Sequence, residues 1–131
     1  MSPLEAGQPI PELRVTPDRY VTVRYAGASG DFNPIHLDDE FARSVGLPGR
    51  ILHGLWSMAL LAQAATAAAG GGPERLRSLS VEFRGLGVPE HEIVVSGTVG
   101  EVLDGVATID AEAVQGEQRI VRRARAEVRI G

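Results

Sequence analysis

Gly54-Leu55-Trp56-Ser57-Met58-Ala59-Leu60-Leu61-Ala62-Gln63-Ala64-Ala65-Thr66-Ala67-Ala68-Ala69 decides the architecture of this chain. The run is built from residues that favour helix and is closed by Gly70-Gly71-Gly72-Pro73, so the sequence predicts one long helix of about 24 Å. A membrane span is the competing reading. It fails because even Ile51 to Ala69 is interrupted by His53, Gln63 and small polar residues, and no basic flank would anchor it. A buried helix fits better, and its alanines would let other elements approach closely. Trp56 and Met58 read as core packing, with a share in lining a tunnel as the alternative for both.

Downstream of Pro73 the pattern changes to β. Strands are expected over Leu79–Arg84, Ile93–Val102, Val106–Val114 and Gln118–Ile130, separated by turns such as Asp104-Gly105 and Gln115-Gly116-Glu117, in an antiparallel meander. In the last strand Ile120, Ala124, Ala126, Val128 and Ile130 alternate with Arg123, Arg125, Glu127 and Arg129, as a sheet with one buried face requires. Arg122 falls on the apolar face. It must lie near a sheet end, pair with an acid, or face a subunit interface.

Upstream of the helix, Tyr25-Ala26-Gly27-Ala28-Ser29-Gly30-Asp31-Phe32-Asn33-Pro34-Ile35-His36 places a carboxylate and an imidazole around a forced bend. Proline biases its predecessor away from the helical region and offers no N–H, so the backbone turns between Asp31 and His36 and the two side chains can converge. Two readings are open on spacing alone: a pair that holds a water and moves its proton, or an Asx-turn followed by an ordinary half-buried ring. Asp38 reads as the N-cap of a short helix ending near Gly46, with its acids serving as capping rather than metal ligands. Thr16-Pro17-Asp18 suggests a helix start running into Tyr25, and Pro3 to Pro11 a loosely held surface lead-in.

Composition narrows the function classes. The 131 residues, 44% of them hydrophobic, suit a single domain, 1–131. With no cysteine and three histidines at 36, 53 and 91, thiolate chemistry is excluded and no metal site is expected. A net charge of -4 argues against nucleic-acid or anionic-membrane partners. Met1 to Arg14 lacks the basic start and apolar run of a secretion signal, so a cytoplasmic setting is expected. His91, between Glu90 and Glu92, is given no role.

The Tyr25–His36 stretch resembles the signature of the MaoC-like, or hydratase 2, family of hotdog-fold (R)-specific enoyl-thioester hydratases and dehydratases, and matches it at every fixed position. The likeness continues through Leu52-His53-Gly54 and, more weakly, Val81-Glu82-Phe83-Arg84 and the closing strands. Where many relatives carry a Pro-Gly-Asp-like turn, this chain has Pro89-Glu90-His91-Glu92, which puts the geometry of that turn in doubt. The resemblance implies an α+β hotdog fold, an antiparallel sheet wrapped around the long central helix. It also implies an acyl-CoA or acyl-carrier-protein thioester substrate, no cofactor, and a homodimer, or a heterodimer with a second MaoC-like chain.

By that resemblance the catalytic residues are Asp31 and His36, with Gly54, whose N–H stands at the positive end of the long helix, as donor to the charge building on the thioester carbonyl. Candidate substrate-binding residues are Asn33, Ser29, His53, Trp56 and Arg84; Asn33 also reads as loop-orienting and Ser29 as a local cap. Arg50, Arg75, Arg77 and Arg84 are candidates for carrier phosphates. The rivals are a hotdog thioesterase, a stabilising subunit of a heterodimeric dehydratase, and a carrier-protein binding module. Several hotdog thioesterases place an Asp or Glu on the central helix, and Gly54–Ala69 contains neither.

Overall fold

In the computed structural model, which describes residues 4–130, the chain begins with β1 (Leu13–Val15), α1 (Val21–Ser29), a 3-10 turn over Pro34–His36, and α2 (Asp39–Ser44). It continues through α3 (Gly54–Ala68), a second 3-10 turn over Pro73–Arg75, β2 (Leu76–Phe83), β3 (Ile93–Leu103), β4 (Val106–Gln115) and β5 (Gln118–Arg129). The expected long helix is thus present, and it packs against β2, β3, β4 and β5. Ser57, Leu60, Leu61, Ala64, Ala65, Thr66 and Ala68 form its buried face. Three of these are alanines, which is why the sheet can lie close along the helix axis. Truncating a fully enclosed side chain here, such as Leu61, would cost about 2–5 kcal/mol.

The sheet has five strands in the order β1-β3-β4-β5-β2, every pair antiparallel, curved over α3 in a hotdog arrangement. The expected meander holds only for β3 to β5. β2 instead crosses to the far edge of β5, because the long Arg84–Glu92 connection, with Pro89 in it, is no tight hairpin.

Alternation in β5 is broken by a β-bulge. Ala111 faces Ala124 and Ala113 faces Val121, so Arg122 and Arg123 together oppose one residue of β4, and Arg123 takes up φ 50°. A second register shift lets Ile120 and Val121 both be buried. Of the three readings for Arg122, pairing with an acid is the observed one: its Nε donates to Glu82 Oε1 at 2.7 Å across β2 and β5. The outer face carries further ion pairs, Arg119 with Glu112 and Arg125 with Asp110, each 2.9 Å and exposed, so solvent screens them and they add little to stability.

The N-terminal reading needs two corrections. Pro3 lies outside the described residues, but the rest of the lead-in is tied down: Gly7 and Ile10 donate to the carbonyls of Val99 and Gly97, Pro9 bridges Thr98, and Ile10 is buried. Unpaired edge groups of β3 bind this segment whatever its own pattern. Nor does a helix start at Thr16. α1 begins at Val21, because the Asp18 carboxylate accepts the Tyr20 N–H (2.8 Å) and Arg24 (2.7 Å) in a turn that postpones it. Asp38 does cap α2, accepting from Phe41 N at 3.1 Å, and Gly46, at φ 91°, follows its end.

Candidate active site

The site starts where α1 stops. Gly30 takes up φ 79°, a conformation glycine enters without steric cost, and its N–H closes on Ala26 O at 2.8 Å. Asp31 therefore leaves the helix axis sharply. A ladder of side-chain turns then shapes the loop. Ser29 Oγ donates to Tyr25 O (2.7 Å) and accepts from Asp31 N (3.2 Å); Asp31 Oδ1 accepts from Asn33 N, and Asn33 Oδ1 from Ile35 N, both at 3.2 Å. Pro34 opens the 3-10 turn that delivers His36.

His36 is buried, while the Asp31 side chain is 53% exposed. Nδ1 of His36 lies 2.8 Å from the carbonyl of Ile51; a carbonyl only accepts, so the proton is on Nδ1. In the neutral ring Nε2 is then the open lone pair, and it lies 3.7 Å from Asp31 Oδ2. That is too long for a direct hydrogen bond. Each group stays available to the same small molecule between them. The Ile51 carbonyl is held in turn, since Ile51 N donates to Ile35 O at 3.1 Å.

Behind this pair, His53 is also buried, its ring stacked on His36 with centroids 3.8 Å apart and planes 19° apart. Its Nε2 donates to the backbone carbonyl of Asp31 at 3.1 Å, Tyr25 packs against it at 4.7 Å, and its Nδ1 is buried without a partner. Gly54 follows as the first residue of α3. The helix receives no side-chain cap from His53, and its first N–H groups stand at the positive end of the helix, next in the chain to the His53 ring. A Cβ on Gly54 would meet the Phe83 ring at 3.3 Å.

Among the described residues, Asp31, His36 and His53 are the group whose ligand atoms approach within 4.8 Å of one another, and by composition they could hold a cation. Geometry opposes it. A metal bound to an imidazole lies in the ring plane, and two stacked, nearly parallel rings offer no common point near both nitrogens.

The structure thus brings Asp31, His36, His53 and Gly54 together, with Ser29 and Asn33 committed to the turn beneath them. Trp56 is half-buried against the core. Arg84 is exposed next to Phe83 and borders a cavity of about 580 Å³ with Gly85, Glu117, Gln118, Arg119 and Arg122. Two of the other candidate arginines are engaged elsewhere, and the third stands among acids that would repel a phosphate. Arg50 donates its N–H to Asp39 at 2.8 Å and its guanidinium to Thr22, and that N–H bond, followed by the charges of Arg50 and Arg43, holds the Asp39 carboxyl below its usual range. Arg75 donates to Arg129 O, and Arg77 borders Glu101, Asp104 and Glu127. Sequence reasoning missed the Ile51 carbonyl, which carries no side-chain signal, and the Tyr25 and Phe83 rings, which stand inside the Tyr25–His36 and Val81–Arg84 motifs but have no chemistry that marks them.

The fold and this loop define a MaoC-like hotdog protein. The chain belongs to the MaoC like domain family, whose pattern matches residues 4–120. It is 35% identical over 118 residues, 82% of this chain, to a fatty acid synthase subunit beta of Aspergillus oryzae, of which the match spans only 6%. It is 36% identical over 73 residues to a peroxisomal enoyl-CoA hydratase 2 of Arabidopsis thaliana, covering 55% of this chain and 23% of that one. Among solved structures it resembles R-hydratase PhaJ1 of Pseudomonas aeruginosa, with a TM-score of 0.82 and 26% identity over 96% of this chain and 81% of that one.

Proposed function

We propose that this chain adds water across trans-2-enoyl thioesters to give (3R)-hydroxyacyl thioesters, or runs the reverse dehydration. The observation that carries the reading is the open Nε2 of His36 facing the Asp31 carboxylate at 3.7 Å, beside the uncapped start of α3. A water held between the two groups gives up a proton to them as its oxygen bonds to C3, and a proton returns to C2, so one water is consumed and nothing is left over. His36 exchanges its proton at Nε2, since Nδ1 is occupied by Ile51. Negative charge building on the thioester carbonyl is met by the Gly54 N–H at the positive end of α3.

The relatives support this reading through their names, an enoyl-CoA hydratase and an R-hydratase, and the fatty acid synthase subunits extend it to carrier-protein thioesters. The carrier is CoA or a phosphopantetheine arm, and Arg84 is the candidate left to meet its phosphates. Phe32, Leu55 and Phe83 are exposed large apolar residues, Phe83 directly on Gly54. A second copy of the chain would cover such a surface, in a cytoplasmic homodimer. Incubating the purified chain with a short 2-enoyl-CoA tests the reaction: loss of the conjugated thioester absorbance with a (3R)-hydroxyacyl product is expected. Release of free CoA thiol without that product would favour the thioesterase reading instead.

A further inference from the structure

We infer that His53 is a positioning residue that holds Asp31 and His36 in register with each other, rather than a substrate contact. This rests on the hydratase reading above. Asp31 and His36 come from different parts of one loop, and the direct gap between them is not a hydrogen bond. Both are touched by one side chain. The Nε2–H of His53 holds the Asp31 carbonyl at 3.1 Å, and the face of the same ring lies 3.8 Å from the His36 ring. The ring is itself only 3% exposed and is backed by Tyr25, so it has little freedom to follow a substrate.

The second nitrogen of His53 points the same way. Nδ1 of His53 is buried with no partner, an arrangement folded proteins avoid. A phenyl ring would fill the space and stack on His36 without that penalty. What only a polar ring supplies at this position is the donor to Asp31, so that hydrogen bond is what requires histidine here. Being the residue just before α3, His53 also links the Asp31 loop to the helix start at Gly54, so one side chain sets the carboxylate, the imidazole and the helix terminus relative to one another.

Three variants separate the components. His53→Ala removes donor and ring; His53→Phe keeps the ring and loses the donor; His53→Gln keeps an amide N–H at comparable reach. Displacement of the pair by about 1 Å should lower kcat about 100-fold in the Ala and Phe variants, with KM within about twofold, because His53 does not touch substrate. The Gln variant should recover about tenfold of that loss. Equal activity of the Gln and Phe variants, or a raised KM at unchanged kcat, would overturn the proposal. Crystal structures of the Phe and Gln variants give a readout independent of turnover. Asp31 should be displaced from His36 in the first and in place in the second; an unmoved Asp31 in the Phe variant would also overturn it. Should wild type hydrate no enoyl thioester, the reaction reading fails, and the two structures still decide the positioning role.

Discussion

Gly54 is the residue on which the proposed mechanism places its carbonyl donor. As the first residue of α3 it has an N–H that the helix does not use, and its predecessor is extended, at φ -66° and ψ 137°. Those are the conditions under which proline is tolerated at the first helical position, since proline favours an extended residue before it and lacks only a donor that is unpaired anyway. Gly54→Pro is therefore expected to keep α3 folded while removing the carbonyl donor, lowering kcat about 10²–10³-fold. Gly54→Ala is the control for bulk. Its Cβ meets an exposed Phe83 ring that can shift, so it should retain most activity and show a melting curve close to wild type. Steady-state kinetics and thermal melts of the two variants check this; equal losses would remove the N–H from the mechanism.

At the level of elements, β2 is held to β5 by its ladder and by the Glu82–Arg122 pair at the bulge. The hydrogen bond from Arg122, then the charges of Arg122, Arg123 and Arg84, set the Glu82 carboxyl below its ordinary value of 4.5. With the folded value below the unfolded one, the unfolded chain takes up protons first as pH falls. The contribution of this pair is thus present above about pH 4.5 and disappears as pH falls through the lowered folded value. Urea melts of wild type and Glu82→Gln should differ at pH 7 and converge toward pH 3; a gap constant with pH would contradict it. The same elements show what a sequence can and cannot disclose. α3 was legible from its length and helix-favouring composition, and the meander of β3 to β5 from long alternating strands with glycine turns between neighbours. β1 spans three residues and owes its strand conformation to the edge of β3, so no local pattern announces it. The crossover of β2 to β5 is a non-local pairing, and the bulge at Arg122 and Arg123 appeared only as a break in alternation. In the site, Asp31 and His36 stood out through Asn33-Pro34, whereas the stacking of His53 on His36 depends on two separate loops meeting in space.

For the whole molecule, one sheet over one helix leaves apolar side chains in water: Leu55 is 63% exposed and Phe32 60%. Light scattering at micromolar concentration should therefore give the mass of two chains; an active monomer would contradict the homodimer, and activity only on adding a second MaoC-like chain would favour the heterodimer. Arg84 offers a second test at this scale. Arg84→Ala should raise KM for an enoyl-CoA with kcat little changed and leave a truncated pantetheine thioester unaffected, because a phosphate contact remote from the reacting carbons binds ground and transition states alike. The central claim rests on Asp31 and His36 acting together on one water. Its most direct test is the hydration rate of a 2-enoyl-CoA by wild type, Asp31→Asn and His36→Ala, each verified as folded by its melting curve. Losses of about 10²–10⁴-fold in kcat for each single variant are expected, as for removal of a general acid–base group. Folded variants that hydrate the thioester at the wild-type rate would contradict the account.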